Sequence, residues 1–418
     1  MKLELKRQDF LKAWQIAERF IDVKAAKTSL EGILLRASED GSVTLEATDL
    51  KTSVKCTAEG VNVITPGVAV VPAVLLGSMI KKSASEDLIL EVNSERGFLN
   101  AGNSKTRFAV FSAEEFPKIP ESSGAEKICD LLASDLARII AEGGSASSQP
   151  QDFPKYMGTC LLRTQDGYLK GVSTDGKRLA LSKIVCGSIA KDDDILLPAA
   201  AIKDLGKTLT SSYGDKLVNI FADSSTAWFN LEGVEFSIRR IEAAFPVYER
   251  ILNDNVKTSM KISSAELASV LDRIDIIAKT IPSHVMSMSL NLDGTLKITA
   301  RAPEKGTASE TLKAEISGEP MQIGFNVAYF LDGLKVLGPG EVLIEFSDEE
   351  GQSRMKRSES DDLLYMLMPA RLSAQDKIAE EEMGEFENDY NQVHEENAPE
   401  NEDEDINQEN QEENYSEN

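Results

Sequence analysis

Histidine is almost missing from this sequence: its 418 residues contain two, His284 and His394. One sits in a turn-like IPSH segment and the other in an acidic tail, so neither completes a Ser-His-Asp arrangement or a metal cluster. The four cysteines (Cys56, Cys129, Cys160, Cys186) are far apart and form no CxxC pair, as suits small apolar core residues in a reducing compartment. No GxxxxGK[ST] or GxGxxG loop is present to cradle phosphates. The longest uncharged stretch, 61–80, is broken by Pro66, Gly67 and Pro72, so no membrane-spanning helix is expected. The first residues, MKLELKRQDF, carry charge where a secretory signal needs an apolar run. These absences predict a soluble cytoplasmic protein with no cofactor, no metal and no catalysis.

Basic charge is also in deficit. Lys and Arg number 45 against 70 Asp and Glu, a formal net charge of −25, which reads at first as hostile to a polyanionic partner. The deficit is uneven, however. From Ser373 to Asn418 there are 18 acidic residues and one lysine, net −17, leaving 44 basic and 52 acidic residues, net −8, in the other 372. The body is only mildly acidic.

What the sequence does have is a repeat. LLRASEDGSVTLEATD, LLRTQDGYLKGVSTD and MSLNLDGTLKITA each carry an Asp-Gly pair between alternating segments, at 40–41, 166–167 and 293–294. Successive copies are 126 and 127 residues apart. Asp-Gly between alternating runs signals a hairpin whose two turn residues both take positive φ. Strand-to-helix switches keep the same period at Pro72, Pro198 and Asn326, each suited to a helix cap or first turn. Each copy opens with an amphipathic helix, and Asp9, Asp135 and Glu266 stand near the three helix starts. The fold class is α+β: three repeated domains, each with two helices and antiparallel sheets, at 1–122, 123–254 and 255–372. Residues 373–418 form an acidic tail with too little apolar surface to order itself.

Four segments in order, TDGKRLAL (174–181), EAAFPVYERIL (242–252), FNVAYFLDGLK (325–335) and YMLMPARL (365–372), resemble the bacterial DNA polymerase III beta subunit, the DNA sliding clamp. The resemblance spans residues 1–372 and includes EFPKIP at 115–120; the tail has no counterpart in it. It implies a homodimer closed head to tail into a ring of six domains, helices lining the hole. Such a ring encircles double-stranded DNA without reading sequence and is nucleoid-associated. It is placed by a clamp loader and tethers the replicative DNA polymerase, repair polymerases, and ligation and mismatch-repair proteins through a short linear motif.

By family position, the peptide pocket is Met157, Thr174, Gly176, Lys177, Arg178, Leu179, Pro246, Arg250, Ile251, Met366, Leu367, Met368, Pro369, Ala370 and Arg371. In that reading Arg178 and Arg250 hold peptide carbonyls or carboxylates, and the apolar residues form an adaptable floor. DNA contacts are expected from Lys24, Gln151, Lys155 and Tyr156, and from Arg7, Lys12, Lys81, Lys82, Lys203 and Lys207 on or beside lining helices. Ala199, Ala200 and Ala201 stand where many clamps carry basic residues, leaving Lys203 and Lys207 to compensate. The ring interface is expected where Phe108 and Val110, on an edge strand, meet Ile276 and Ile277 of the third domain's first helix. The rival reading is an acidic multidomain peptide-binding scaffold that never encircles DNA.

Overall fold

The computed structural model describes residues 1–149, 153–252, 255–303 and 305–373. Gln151, His394 and the acidic tail from residue 374 lie outside the described residues. No described helix is long and apolar enough to cross a membrane.

Three units follow one element order. The first runs β1 (Lys2–Lys6), α1 (Arg7–Ala17), β2 (Gly32–Ala37), β3 (Val43–Thr48), β4 (Thr52–Thr57), β5 (Val61–Thr65), β6 (Gly67–Pro72), α2 (Ala73–Lys82), β7 (Asp87–Val92), β8 (Arg96–Ala101), β9 (Ser104–Ala109). The second runs β10 (Glu126–Leu132), α3 (Ala133–Gly143), β11 (Thr159–Gln165), β12 (Tyr168–Thr174), β13 (Arg178–Val185), β14 (Ser188–Ile189), β15 (Asp194–Pro198), α4 (Ala199–Ser212), β16 (Leu217–Ala222), β17 (Thr226–Leu231), β18 (Val234–Arg239). The third runs β19 (Thr258–Ser263), α5 (Ser264–Ala278), β20 (Val285–Leu290), β21 (Thr295–Ala302), β22 (Gly306–Lys313), β23 (Glu315–Gly318), β24 (Met321–Asn326), α6 (Val327–Leu337), β25 (Glu341–Phe346), β26 (Ser353–Arg357), β27 (Ser360–Leu367).

Local chemistry accounts for the helices. In α1 Phe10, Ala13, Trp14 and Ala17 recur at helical spacing and are all buried. Helix α2 crosses α1 at Gly77, where a Cβ would stand 2.4 Å from Trp14 Nε1. Pro72 and Pro198 occupy the caps of α2 and α4, while the Asn326 side chain caps α6 by accepting the Tyr329 N–H at 3.1 Å. Asp9, Asp135 and Glu266 all fall in first turns, where a carboxylate opposes the helix dipole.

The three Asp-Gly turns differ from the expectation. Only Asp166-Gly167 is a two-residue loop, with Gln165 paired to Tyr168 and positive φ at both turn residues (56° and 83°). At the other two, the loops run from Ser38 to Ser42 and from Asn291 to Thr295, and only the glycine has positive φ. Asp40 and Asp293 instead accept the N–H groups of Ser42 and Thr295, each at 2.9 Å, so side-chain turns close these longer loops.

Each unit divides its strands into a group of five and a group of four, and neighbouring units fuse these groups. Strand β18, last of the second unit's five, pairs antiparallel with β4, from Val234 opposite Cys56 to Ile238 opposite Thr52. Likewise β27 pairs with β13, from Leu367 opposite Arg178 to Leu363 opposite Ser182. The result is two nine-stranded sheets shared between units. What remains is a five-stranded sheet ending at β9 and a four-stranded sheet ending at β22. The first two units share one continuous apolar core, and the third has its own, into which Ala146 and Ala180 of the second unit insert.

Candidate functional site

A cleft of about 210 Å³ opens where the second and third units meet. Its floor is one buried cluster: Leu161, Val172, Leu179, Leu196, Tyr248 and Met366. One wall is the β12–β13 turn, held tightly by its own side chains. Thr174 Oγ1 accepts the Gly176 N–H at 3.1 Å and donates to the Arg178 carbonyl at 2.7 Å. Asp175 Oδ1 accepts the N–H groups of Lys177 and Arg178, and Gly176 takes φ of 83° to complete the bend. The opposite wall is the segment 245–251, whose aromatic rings stack edge-on, Tyr156 to Phe245 at 6.0 Å and Phe245 to Tyr248 at 6.2 Å. The Met368 N–H donates to the Lys177 carbonyl at 2.9 Å, bringing the end of β27 to the rim. Val247, Ile251 and Met368 are 60%, 43% and 47% exposed, an apolar rim that the fold itself does not cover.

Of the expected pocket, Thr174, Gly176, Arg178, Leu179, Pro246, Ile251, Met366 and Met368 line this cleft together. Met157 supports it from beside Gly176. Leu367 is buried in the third unit's core on strand β27. Pro369, Ala370 and Arg371 turn away into a separate recess with Gln322, Gly324, Glu349, Glu350 and Leu372, drawn there by an Ala370 N–H donated to the Gly324 carbonyl at 2.8 Å. Val247, Tyr248 and Tyr156 line the cleft and were not anticipated for it. The first two belong to the same FPVY run as Pro246, and the run's uninterrupted apolar character was the available signal.

Arg178 lines the cleft with a guanidinium already engaged at two of its nitrogens. Nε donates to Asp175 Oδ2 at 3.0 Å, and Nη1 donates to Asp332 Oδ2 at 2.5 Å and to the Tyr365 hydroxyl at 3.1 Å. The group also lies 4.3 Å from the centre of the Tyr329 ring. It fastens the second unit to the third. Lys177 and Arg250 are exposed and have no carboxylate partner among the described residues, so the donors facing an incoming segment are theirs.

The cations expected at DNA differ in availability. Lys24, Lys81, Lys82 and Lys155 are exposed and form no ion pair with another described residue. Lys12 and Lys207 pair with Asp9 and Asp204 on their own helices, each at 3.0 Å, and Arg7 reaches Glu86 at 3.4 Å; such exposed pairs are weak enough to exchange. Lys203 departs from the expectation. Its Nζ donates to Ser147 Oγ at 3.1 Å in a half-buried position, and burial lowers its pKa. Tyr156 lines the apolar cleft.

Strand β9 is a sheet edge, paired on one side only, with β8. The Phe108 side chain nonetheless points inward, over Gly97, where a Cβ would stand 2.1 Å from its ring. Val110 is half-buried against the first unit's core. On α5, Ile276 is 56% exposed, whereas Ile277 packs on the third unit's core.

Known proteins match this arrangement along its length. A family model for the DNA polymerase III beta subunit, N-terminal domain, matches residues 1–120, and one for the C-terminal domain of that subunit matches residues 249–371. The beta sliding clamp of Pseudomonas aeruginosa is 28% identical over 375 residues, covering 89% of this chain and 100% of that protein. The beta sliding clamp of Staphylococcus aureus is 25% identical over 380 residues, covering 89% and 99%. The solved DNA polymerase III subunit beta from Pseudomonas aeruginosa superposes with a TM-score of 0.83 at 27% identity, covering 89% and 100%. With three units of one plan, fused sheets, and domain models of one family matching both ends, this chain belongs to the bacterial DNA polymerase III beta subunits, the beta sliding clamps.

Proposed function

We propose that two copies of this chain close head to tail into a ring around duplex DNA, and that the cleft between the second and third units tethers the replicative polymerase there. One observation carries the ring. Within the chain, the last strand of a five-stranded group always pairs with the third strand of a neighbouring four-stranded group: β18 with β4, and β27 with β13. The equivalent strands β9 and β22 have no such partner among the described residues. A second copy supplies it, completing a third nine-stranded sheet and removing both exposed edges at once. The single chain is thus half of a closed object.

Around DNA such a ring holds on by topology, so its inner surface needs only phosphate contacts and no base readout. Lys24, Lys81, Lys82 and Lys155 are the available cations, and the mild acidity of the body is no obstacle to them. The chain acts as a non-catalytic accessory subunit. An ATP-driven loader opens the ring, and the polymerase, the loader and repair proteins share the cleft by inserting short apolar motifs over Leu179, Ile251, Met366 and Met368, with Lys177 and Arg250 holding backbone carbonyls or acidic groups.

The test combines native mass with retention on DNA after loader-assisted assembly. A dimeric mass, with retention on nicked circular DNA and loss after linearisation, is the expected result. A monomeric mass, or equal loss from both DNA forms, overturns the ring and leaves the scaffold reading.

A further inference from the structure

The cleft's rim carries a charge imbalance that the body of the protein leaves uncorrected. Lys155, Lys177 and Arg250 are exposed around it, and none pairs with a carboxylate among the described residues. The nearby acids are already engaged: Asp175 and Asp332 by Arg178, and Glu249 by Arg163 at 2.5 Å. An apolar recess ringed by unpaired cations selects a segment that is acidic overall with a few apolar anchors.

The chain itself contains such a segment, and it follows shortly after the strand that ends at the rim. Met368 lies in the cleft and the described residues end five positions later at Ser373. Beyond it the sequence EEEMGEFENDYNQV (380–393) sets Met383, Phe386, Tyr390 and Val393 among six carboxylates with no basic residue. Met383 lies ten residue steps beyond Ser373, enough to span up to about 35 Å, so the anchors can fold back onto the cleft.

We propose that this C-terminal segment occupies the cleft of its own protomer and competes there with the motifs of partner proteins. The inference rests on the cleft being the partner site. Met383, Phe386 and Tyr390 enter as anchors over Ile251 and Met368, and the flanking carboxylates meet Lys177 and Arg250. A tethered occupant acts at an effective concentration near millimolar, so even an intrinsic affinity of about 100 μM weakens an external competitor about tenfold. Only partners binding clearly more tightly than the tail would then be admitted.

The experiment uses the full chain and a fluorescein-labelled synthetic peptide of residues 378–395 as probe, followed by fluorescence anisotropy. Substituting Met383→Ser, Phe386→Ser and Tyr390→Ser leaves residues 1–373 untouched. This variant is expected to bind the probe about tenfold more tightly than the unaltered chain, at a ratio independent of protein concentration. Adding Ile251→Glu is expected to abolish the gain. Equal affinity for the two chains, binding to neither, binding that survives Ile251→Glu, or a ratio that depends on protein concentration overturns the inference. Polymerase-dependent DNA synthesis separates the two layers: synthesis that withstands Ile251→Glu overturns the cleft reading itself, whereas synthesis lost with Ile251→Glu beside an unchanged probe affinity overturns the tail alone.

Discussion

The Phe20 ring, just past helix α1, lies 5.5 Å from the Phe236 ring of the second unit, across the junction where β4 meets β18. Phe20 follows Asp9 by 11 residues, and the same interval leads from Asp135 to Ala146 and from Glu266 to Ile277. Ala146 obeys the rule, buried in the core of the next unit. Ile277 is the third of the set; it packs on its own unit's core, and among the described residues no further unit follows to receive it.

Beside it, Ile276 stands where Arg19 stands in the first unit, and Arg19 Nη1 donates across the junction to Thr208 at 2.9 Å. Ile276→Asp is therefore expected to weaken dimerisation at least 30-fold, roughly the 2 kcal/mol of an interface hot spot. Because Ile276 is 56% exposed, the protomer's own stability should change by less than about 0.5 kcal/mol. Sedimentation over a concentration series, alongside urea unfolding, checks both; a dimer of unchanged affinity would count against the head-to-tail ring.

Arg178 and Arg250 border the same cleft but should respond oppositely. Arg178→Ala leaves the almost buried Asp175 carboxylate unpaired and releases Asp332 and Tyr365. A loss of about 3 kcal/mol in unfolding free energy is expected. Arg250→Ala should leave stability unchanged and lower polymerase affinity severalfold. Chemical denaturation and a polymerase-binding titration on the same two variants give the comparison.

A four-charge network joins the second unit to the third: Asp362 contacts Arg138 at 2.7 Å and Arg357 at 3.0 Å, and Arg357 reaches Glu142 at 2.7 Å. Burial raises the pKa of the Asp362 carboxyl, but the Ser360 hydroxyl and the two guanidiniums together outweigh it and hold the group below its ordinary 3.8. A carboxylate with a depressed folded pKa adds stability above its unfolded pKa and loses it as pH falls through the folded value. The stability gap between the unaltered protein and Asp362→Asn should thus be full at pH 7 and shrink below about pH 3.8. Urea midpoints at pH 7, 5, 4 and 3 measure it; a gap that widens in acid would reverse the assignment.

Lys24→Glu with Lys155→Glu should separate electrostatic from topological binding. The unloaded protein's weak affinity for linear duplex is expected to fall, and its salt slope to drop by about one per lysine removed. Retention of the loaded ring on a nicked circle should persist. Filter binding across salt concentrations, paired with gel-filtration retention, distinguishes the two; loss of retention on the circle would mean that charge, not closure, holds the ring.

Much of this was legible in the chain's periodicity. Pro72, Pro198 and Asn326 mark helix starts because capping chemistry is local, and Asp9, Asp135 and Glu266 mark first turns for the same reason. Two Asp-Gly turns were misread because loop length depends on where the flanking strands stop pairing, which the dipeptide does not encode. Arg178 and Lys203 were expected to be available because a sequence shows charge but not its neighbours; Asp332 lies 154 residues from Arg178, and Ser147 lies 56 from Lys203.

The sequence by itself determined the threefold plan, the helix boundaries and the residue types at the cleft, since hydrophobic period and capping act over a few residues. Tertiary structure alone decided which cations are free and which residues share the cleft. It also left one edge of β9 and of β22 unpaired among the described residues, because the pairing of sheet edges is settled by segments a hundred or more residues apart meeting in space.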